Sequence, residues 1–180
     1  MLSAPFGRSL LLITMSFELF SKRWKRDDNC PSCLYSLTRN RCVGCSKRRP
    51  HHLTNYWVIG YEDKKKLMVH NVLWVLDTKQ QVPDGLEVDH IDRNGENNLQ
   101  SNLRLLTSTE QKLNTPARKN STSVYKGVSW SRHKLKWRSQ VQLNKVKIFL
   151  GYFDTEIEAA IAYDFYMKTH GPECSYLNFQ

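Results

Sequence analysis

No stretch of this 180-residue chain approaches the roughly 20 consecutive apolar residues that cross a bilayer, so no membrane partner is expected. Leu10 to Phe20 is apolar only in patches and contains Glu18. Arg8 followed by Leu10-Leu11-Leu12-Ile13 resembles the front of a signal peptide, but no small-residue cleavage site follows, so export is not expected. Internal repeats are missing too. The most informative absence is of negative charge. From Gln111 to Phe153, 43 residues carry ten Lys and Arg and no Asp or Glu. A surface charged only for solubility mixes both signs, whereas a phosphate backbone selects for one.

The other charge blocks sharpen this contrast. Residues 1–50 carry ten basic and three acidic side chains, 51–110 six and nine, and 154–180 one and five. Two cationic segments therefore flank an acidic middle, and the formal net charge is +10. The expected organisation is a basic N-terminal segment (1–29), a cysteine-bearing segment (30–52) and a compact mixed domain (53–115). A polar, proline-containing linker (116–123) leads to a module of strands followed by one helix (124–180). The expected fold class is α+β, built from small modules.

Cys30-Pro31-Ser32-Cys33 and Cys42-Val43-Gly44-Cys45 are two CxxC pairs eight residues apart. Two residues between cysteines let both thiolates reach one ion from a tight turn, and two such turns complete a tetrahedral shell for structural Zn²⁺. Disulfides suit exported proteins, and a redox motif needs only one pair. Zinc on Cys30, Cys33, Cys42 and Cys45 is the expectation. Cys174 is expected to be a small buried residue.

In the middle domain, strands are expected at Tyr56–Tyr61 and Leu67–Val69, with a turn at Glu62–Lys64 between them. A helix follows on the spacing of Val69, Val72, Leu73 and Leu76. Then come Leu86–Asp92, a polar loop through Asn97-Asn98, a strand Leu103–Leu106 and a short helix from about Thr109. Phosphodiester hydrolysis needs an activated water and a counter-charge for the phosphate. Histidine titrates near neutrality, so His90 can take a proton from water. A hard divalent ion takes oxygen ligands, so Asp89 can hold Mg²⁺ or a similar ion. Adjacent residues of a strand face opposite ways, so a bend after Asp89-His90 is expected to separate the two roles.

Val69-His70, Val88-Asp89-His90-Ile91-Asp92, Asn97-Asn98 and Ser101-Asn102-Leu103-Arg104-Leu105 together resemble the HNH (ββα-metal) nucleases, especially phage-type homing endonucleases. The resemblance implies His90 as general base, Asp89 as metal ligand, and loop asparagines, Asn98 and Asn102 among them, as structural braces. It also implies a second protein ligand, an Asn on the helix after the second strand. Here Gln111 stands at that position, and Asn114 one turn later is the other candidate. Ser108–Gln111 and Thr107–Glu110 both fit a capping box, which gives Gln111 an ordinary alternative role. For His70, packing or a local hydrogen bond is expected, and His51-His52 are expected at the surface. A phage origin, and with it a host cytoplasm, is implied by resemblance alone.

In the last module Lys136, Arg138, Gln140 and Gln142 alternate with Trp137, Ser139, Val141 and Leu143. Lys145, Lys147 and Phe149 then alternate with Val146, Ile148 and Leu150 across a reversal at Asn144-Lys145. An antiparallel sheet with one apolar and one cationic, amide-rich face is expected. Thr155 and Glu158 form a capping box for a helix that Gly171 ends, with Ile157, Ile161, Phe165 and Tyr166 expected to cover the apolar sheet face. Such a sheet can enter the DNA major groove. Tyr125-Lys126-Gly127-Val128, Lys136-Trp137, Leu150-Gly151-Tyr152-Phe153-Asp154-Thr155, Glu158-Ala159-Ala160, Ala162-Tyr163-Asp164 and Leu177-Asn178-Phe179 resemble the APETALA2/ethylene-response-factor type of DNA-binding domain. The resemblance implies DNA contact from Lys126, Ser129, Trp130, Gln140, Gln142, Lys147 and Phe149. Arg132, Lys134 and Arg138 are expected on phosphate, which positions without specifying.

These readings combine into a metal-dependent DNA endonuclease acting on double-stranded DNA. It would use Mg²⁺ or another divalent ion in catalysis and Zn²⁺ in structure, and a monomer is compatible with it. The competing reading is a non-catalytic DNA-binding regulator with a decayed catalytic core.

Overall fold

The computed structural model describes residues 17–48, 54–62, 65–118 and 120–179. The signal-like segment, His51-His52 and part of the turn at Glu62–Lys64 lie outside the described residues. The chain divides into two compact units between Leu106 and Thr107. Among the described residues no helix is long and apolar enough to cross a membrane.

The first unit opens with helix α1 (Phe17–Ser21) and strands β1 (Trp24–Arg26), β2 (Leu34–Ser36) and β3 (Arg41–Cys42). These strands form an antiparallel sheet in sequential order. Strands β4 (Cys45–Arg48), β5 (Asn55–Tyr61) and β6 (Lys65–Met68) form a second antiparallel sheet, followed by helix α2 (Val69–Thr78). The predicted apolar spacing of α2 is what buries it, since Val69, Val72 and Leu73 have no exposed surface. They join Phe20, Trp24, Cys33, Leu34, Ile59 and Tyr61 in one core. The described part of the basic N-terminal segment therefore supplies core side chains: Phe20 is fully buried and edge-on to Trp24. Strands β7 (Leu86–His90) and β8 (Leu103–Thr107) complete the unit as a pair.

The second unit begins with helix α3 (Ser108–Leu113), capped by Thr107, whose hydroxyl accepts from Glu110 N while Glu110 reaches back to Thr107 N. Strands β9 (Val128–Ser131), β10 (Lys136–Leu143) and β11 (Val146–Phe153) form an antiparallel sheet with β10 central, and helix α4 (Glu156–His170) follows. The β10–β11 reversal falls on Asn144 and Lys145, both at positive φ, as a tight hairpin requires. Thr155 and Glu158 form the predicted capping box of α4. Cys174 is buried, as expected.

The helix face that meets the sheet differs from expectation. Ile157, Ile161 and Phe165 are exposed, whereas Ala159, Ala160, Tyr163 and Met167 are buried. The alanines pack with Val128 and Trp137, and Tyr163 and Met167 with Val141 and Leu113. Small side chains let the helix backbone approach the strands, and Tyr163 and Met167 fill what remains. Gly127 makes that approach possible. Its φ is +78°, and a Cβ there would stand 2.0 Å from the Tyr163 ring. Gly127→Ala is expected to destabilise the second unit by roughly 2 kcal/mol, from left-handed strain plus overpacking. A thermal transition unchanged by this substitution would contradict the packing described.

Candidate active site

Strand β7 ends at His90. The chain turns at once, with Arg93 at positive φ (62°) and Arg93 N donating to His90 O. The loop to β8 is held by its own amides. Asp92 is its hub: Oδ1 accepts from Asn94 N at 2.8 Å and Asn102 Nδ2 at 2.9 Å, and Oδ2 accepts from Asn97 Nδ2 at 2.7 Å. Asn102 Oδ1 in turn accepts from Asp92 N. Burial alone would raise the Asp92 carboxyl, but these hydrogen bonds and the neighbouring His90 hold it below the ordinary carboxylate value. Asn102 and Asp92 therefore bond to each other in both directions, and sequence reasoning did not single out Asp92. An acidic residue two positions before an asparagine at the start of a polar loop is the signal that could have revealed it.

His90 is buried, 3% exposed, with its ring edge-on to those of His70 at 5.0 Å and Tyr56 at 5.8 Å. The packing expected of His70 is therefore against His90 itself. His90 Nε2 lies 3.0 Å from Asn98 Oδ1, and Asn98 has no exposed surface. The other end of the Asn98 amide donates to Ser32 O at 3.1 Å, which fixes which atom faces the ring. Because Oδ1 only accepts, Nε2 must carry a proton, and in the neutral ring this leaves the lone pair on Nδ1. That is the tautomer a general base requires.

Asp89 faces the opposite way, on the more open side of β7. The strand alternation itself thus separates the two side chains. Arg104 grips Asp89 Oδ2 through Nε and Nη2, each at 3.1 Å. A guanidinium thus supplies positive charge at the carboxylate expected to bind metal. Among the described residues no group of three or more His, Cys, Asp or Glu is gathered to hold an ion. The Asp89 carboxylate suits the preference of a hard divalent ion for oxygen. Gln111 and Asn114 belong to the second unit, on α3 and at its C-cap. The α3 capping box uses Glu110, so Gln111 is not consumed by it.

The four-cysteine shell is not formed. Cys30 and Cys42 are joined in a disulfide, with Cα atoms 5.4 Å apart, while Cys33 is free and buried and Cys45 free and exposed. A disulfide removes two of the four thiolates that tetrahedral zinc requires. Burial also pushes the Cys33 thiol up, away from the thiolate form. The residues in this state do not fit zinc.

In the second unit the cationic face is present, with two corrections. Arg138, Gln140, Lys147 and Phe149 line it: Gln140 pairs with Phe149 and Gln142 with Lys147 across the strands, and Ser129 lies opposite Arg138. Arg132 and Lys134 are exposed in the turn before β10. Lys126 is engaged elsewhere. Its ammonium donates to the carbonyls of Lys112, Leu113 and Thr115 at 3.0, 2.6 and 2.5 Å, satisfying the open end of α3 and using all three donors. Trp130 pairs with Trp137, their rings 5.2 Å apart, which puts it on the helix side of the sheet. Tyr152 was missed. The register slips between Ser139 and Gln140, setting Ser139 opposite Gly151 and Gln140 opposite Phe149. This bulge turns Tyr152 outward, to 5.0 Å from the Phe149 ring.

Arg26 was also missed. Its Nε and Nη2 bind the Asp77 carboxylate at 2.8 and 2.5 Å, and its Nη1 donates to the backbone O of Asn98 at 2.9 Å. Burial alone would lower this guanidinium, but Asp77 and Asp28 outweigh it and hold it firmly charged. Sequence carries no sign of this pair, whose members are 51 residues apart.

Residues 67–113 match the HNH endonuclease family. Over 60 residues the chain is 42% identical to "Protein 3.8" of Escherichia phage T7, covering 33% of this chain and 50% of that protein. Over 102 residues it is 31% identical to "Uncharacterized HNH endonuclease L560" of Acanthamoeba polyphaga mimivirus, covering 57% and 52%. The chain spans about half the length of these curated relatives. No solved structure matches it.

Proposed function

With an HNH endonuclease domain over residues 67–113 as the premise, we propose that the chain is a divalent-metal-dependent DNA endonuclease of the homing type. It is directed to duplex DNA by the cationic face of its second unit. The observation that carries the reading is the His90–Asn98 bond, which leaves Nδ1 as the proton acceptor. His90 takes a proton from water. The water oxygen bonds to phosphorus as the bond to the leaving sugar oxygen breaks. Asp89 would hold Mg²⁺ or a similar ion, which supplies charge stabilisation at the phosphate when bound. Arg138, Gln140, Gln142, Lys147 and Phe149, with Ser129, form the groove-facing surface, and Arg132 and Lys134 meet phosphate.

Two observations favour a second reading, a DNA-binding regulator without catalysis. His90 is almost wholly buried, and Arg104 already neutralises Asp89. Plasmid relaxation separates the two. Supercoiled plasmid is expected to be nicked or linearised with Mg²⁺ or Mn²⁺ and to stay intact with EDTA. Binding without cleavage in any divalent ion would select the regulator.

A further inference from the structure

A cleft of about 430 Å³ lies in the first unit, and no residue of the polar loop lines it. Arg23, Arg39 and Arg41 line it with Ser36, Thr38 and Gly60, and no Asp or Glu contributes to its wall. Arg23 is already neutralised, bonded to Glu62 at 2.9 Å and lying over the Tyr61 ring. Arg39 and Arg41 are exposed and have no carboxylate partner among the described residues.

Arg39 stands on the turn between β2 and β3 and Arg41 at the start of β3, and this turn is held by its own hydrogen bonds. Ser36 is buried and lies opposite Arg41 across β2 and β3. Its hydroxyl accepts from Arg39 N and contacts the Thr38 hydroxyl at 3.2 Å. Asn40, at positive φ, is held by the Tyr35 hydroxyl at 2.6 Å. The lining is open at Gly60, where an added Cβ would meet nothing within 4 Å. Unpaired guanidiniums around one concavity repel each other, and an anion relieves that repulsion. No exposed aromatic lines the cleft to stack a base. Its chemistry suits a phosphate backbone and not a nucleobase.

We propose that this cleft binds the phosphodiester backbone of duplex DNA, giving the first unit an anchor of its own through Arg39 and Arg41. The choice of DNA over a free phosphate rests on the nuclease reading above. Such an anchor carries no sequence preference. It holds the duplex to the first unit while site choice is made elsewhere on the chain.

The test uses the full chain in EDTA, so that cleavage plays no part. Affinity for a fluorescein-labelled mixed-sequence duplex is measured by anisotropy across a salt series. The Arg39→Ala/Arg41→Ala variant is expected to flatten the slope of log K against log salt by about 1.8, at about 0.9 per phosphate contact. Lys47→Ala/Lys79→Ala removes two exposed cations of the same unit that lie outside the cleft, and is expected to keep the wild-type slope. An unchanged slope in the arginine variant overturns the proposal, as does an equal loss in the lysine variant. A mononucleotide arm separates the sources: loss of mononucleotide binding with the duplex slope intact would mark a small-phosphate site and also overturn it. Thermal unfolding checks that both variants fold. A chain that passes this test yet never cuts plasmid keeps the anchor and loses the nuclease reading, and the converse result does the reverse.

Discussion

Replacing His90 with alanine is expected to lower the rate of DNA cleavage by about 10²–10⁴-fold, the usual contribution of a positioned base. Affinity for duplex DNA should be unchanged, because His90 is buried and the cationic surfaces lie elsewhere. The argument rests on the ring's surroundings. Asn98 fixes the proton on Nε2, and the rings of His70 and Tyr56 hold the imidazole edge-on. Removing the ring also opens a cavity, so lost activity could reflect lost packing. His90→Gln answers this by retaining most of the volume and a group able to bond Asn98, but no basic nitrogen. It is expected to restore the thermal transition and not the cleavage. Single-turnover rates at saturating DNA read the chemical step free of binding. Wild-type rates in His90→Gln would remove the general-base role and favour a structural histidine.

What was legible in the sequence was local. The apolar spacing of Val69, Val72 and Leu73, the capping boxes at Thr107 and Thr155, and the Asn144-Lys145 reversal all depend on neighbours within a few residues, and each is present. What escaped depends on contacts distant in sequence or on a break in periodicity. Arg26 meets Asp77 across 51 residues, and nothing near either one signals the other. Strand alternation assigns Tyr152 to the same face as Leu150. Only the slip between Ser139 and Gln140 reverses it. The α4 face was misjudged because large apolar residues were assumed to be the buried ones. Close approach to a sheet favours alanine, and Ile157, Ile161 and Phe165 are left at the surface. The cysteine spacing is compatible with both a metal and a disulfide, and spacing alone does not choose between them.

Arg26→Ala is expected to destabilise the first unit by about 3–5 kcal/mol, the usual effect of removing one partner of a buried ion pair. The Asp77 side chain is only 9% exposed and that of Arg26 16%, so alanine strands a carboxylate with little water to solvate it. It also removes the donor to the Asn98 carbonyl and loosens the residue that orients His90. Two comparisons separate these effects. The double variant Arg26→Ala/Asp77→Ala should be less destabilised than Arg26→Ala alone, because no buried charge remains unpaired. Arg26→Lys keeps the charge, but a single ammonium cannot reproduce the fork on Asp77 while also reaching Asn98. That variant is expected to lose modest stability while its single-turnover cleavage rate falls further than its duplex affinity. Denaturant unfolding of both single variants and the double variant gives the coupling energy, and single-variant losses that simply add in the double would show that the pair is not energetically coupled. If Arg26→Lys instead cleaves at the wild-type rate, the bond to Asn98 serves the fold alone, and His90 is held by Asn98 and Ser32 without help from β1.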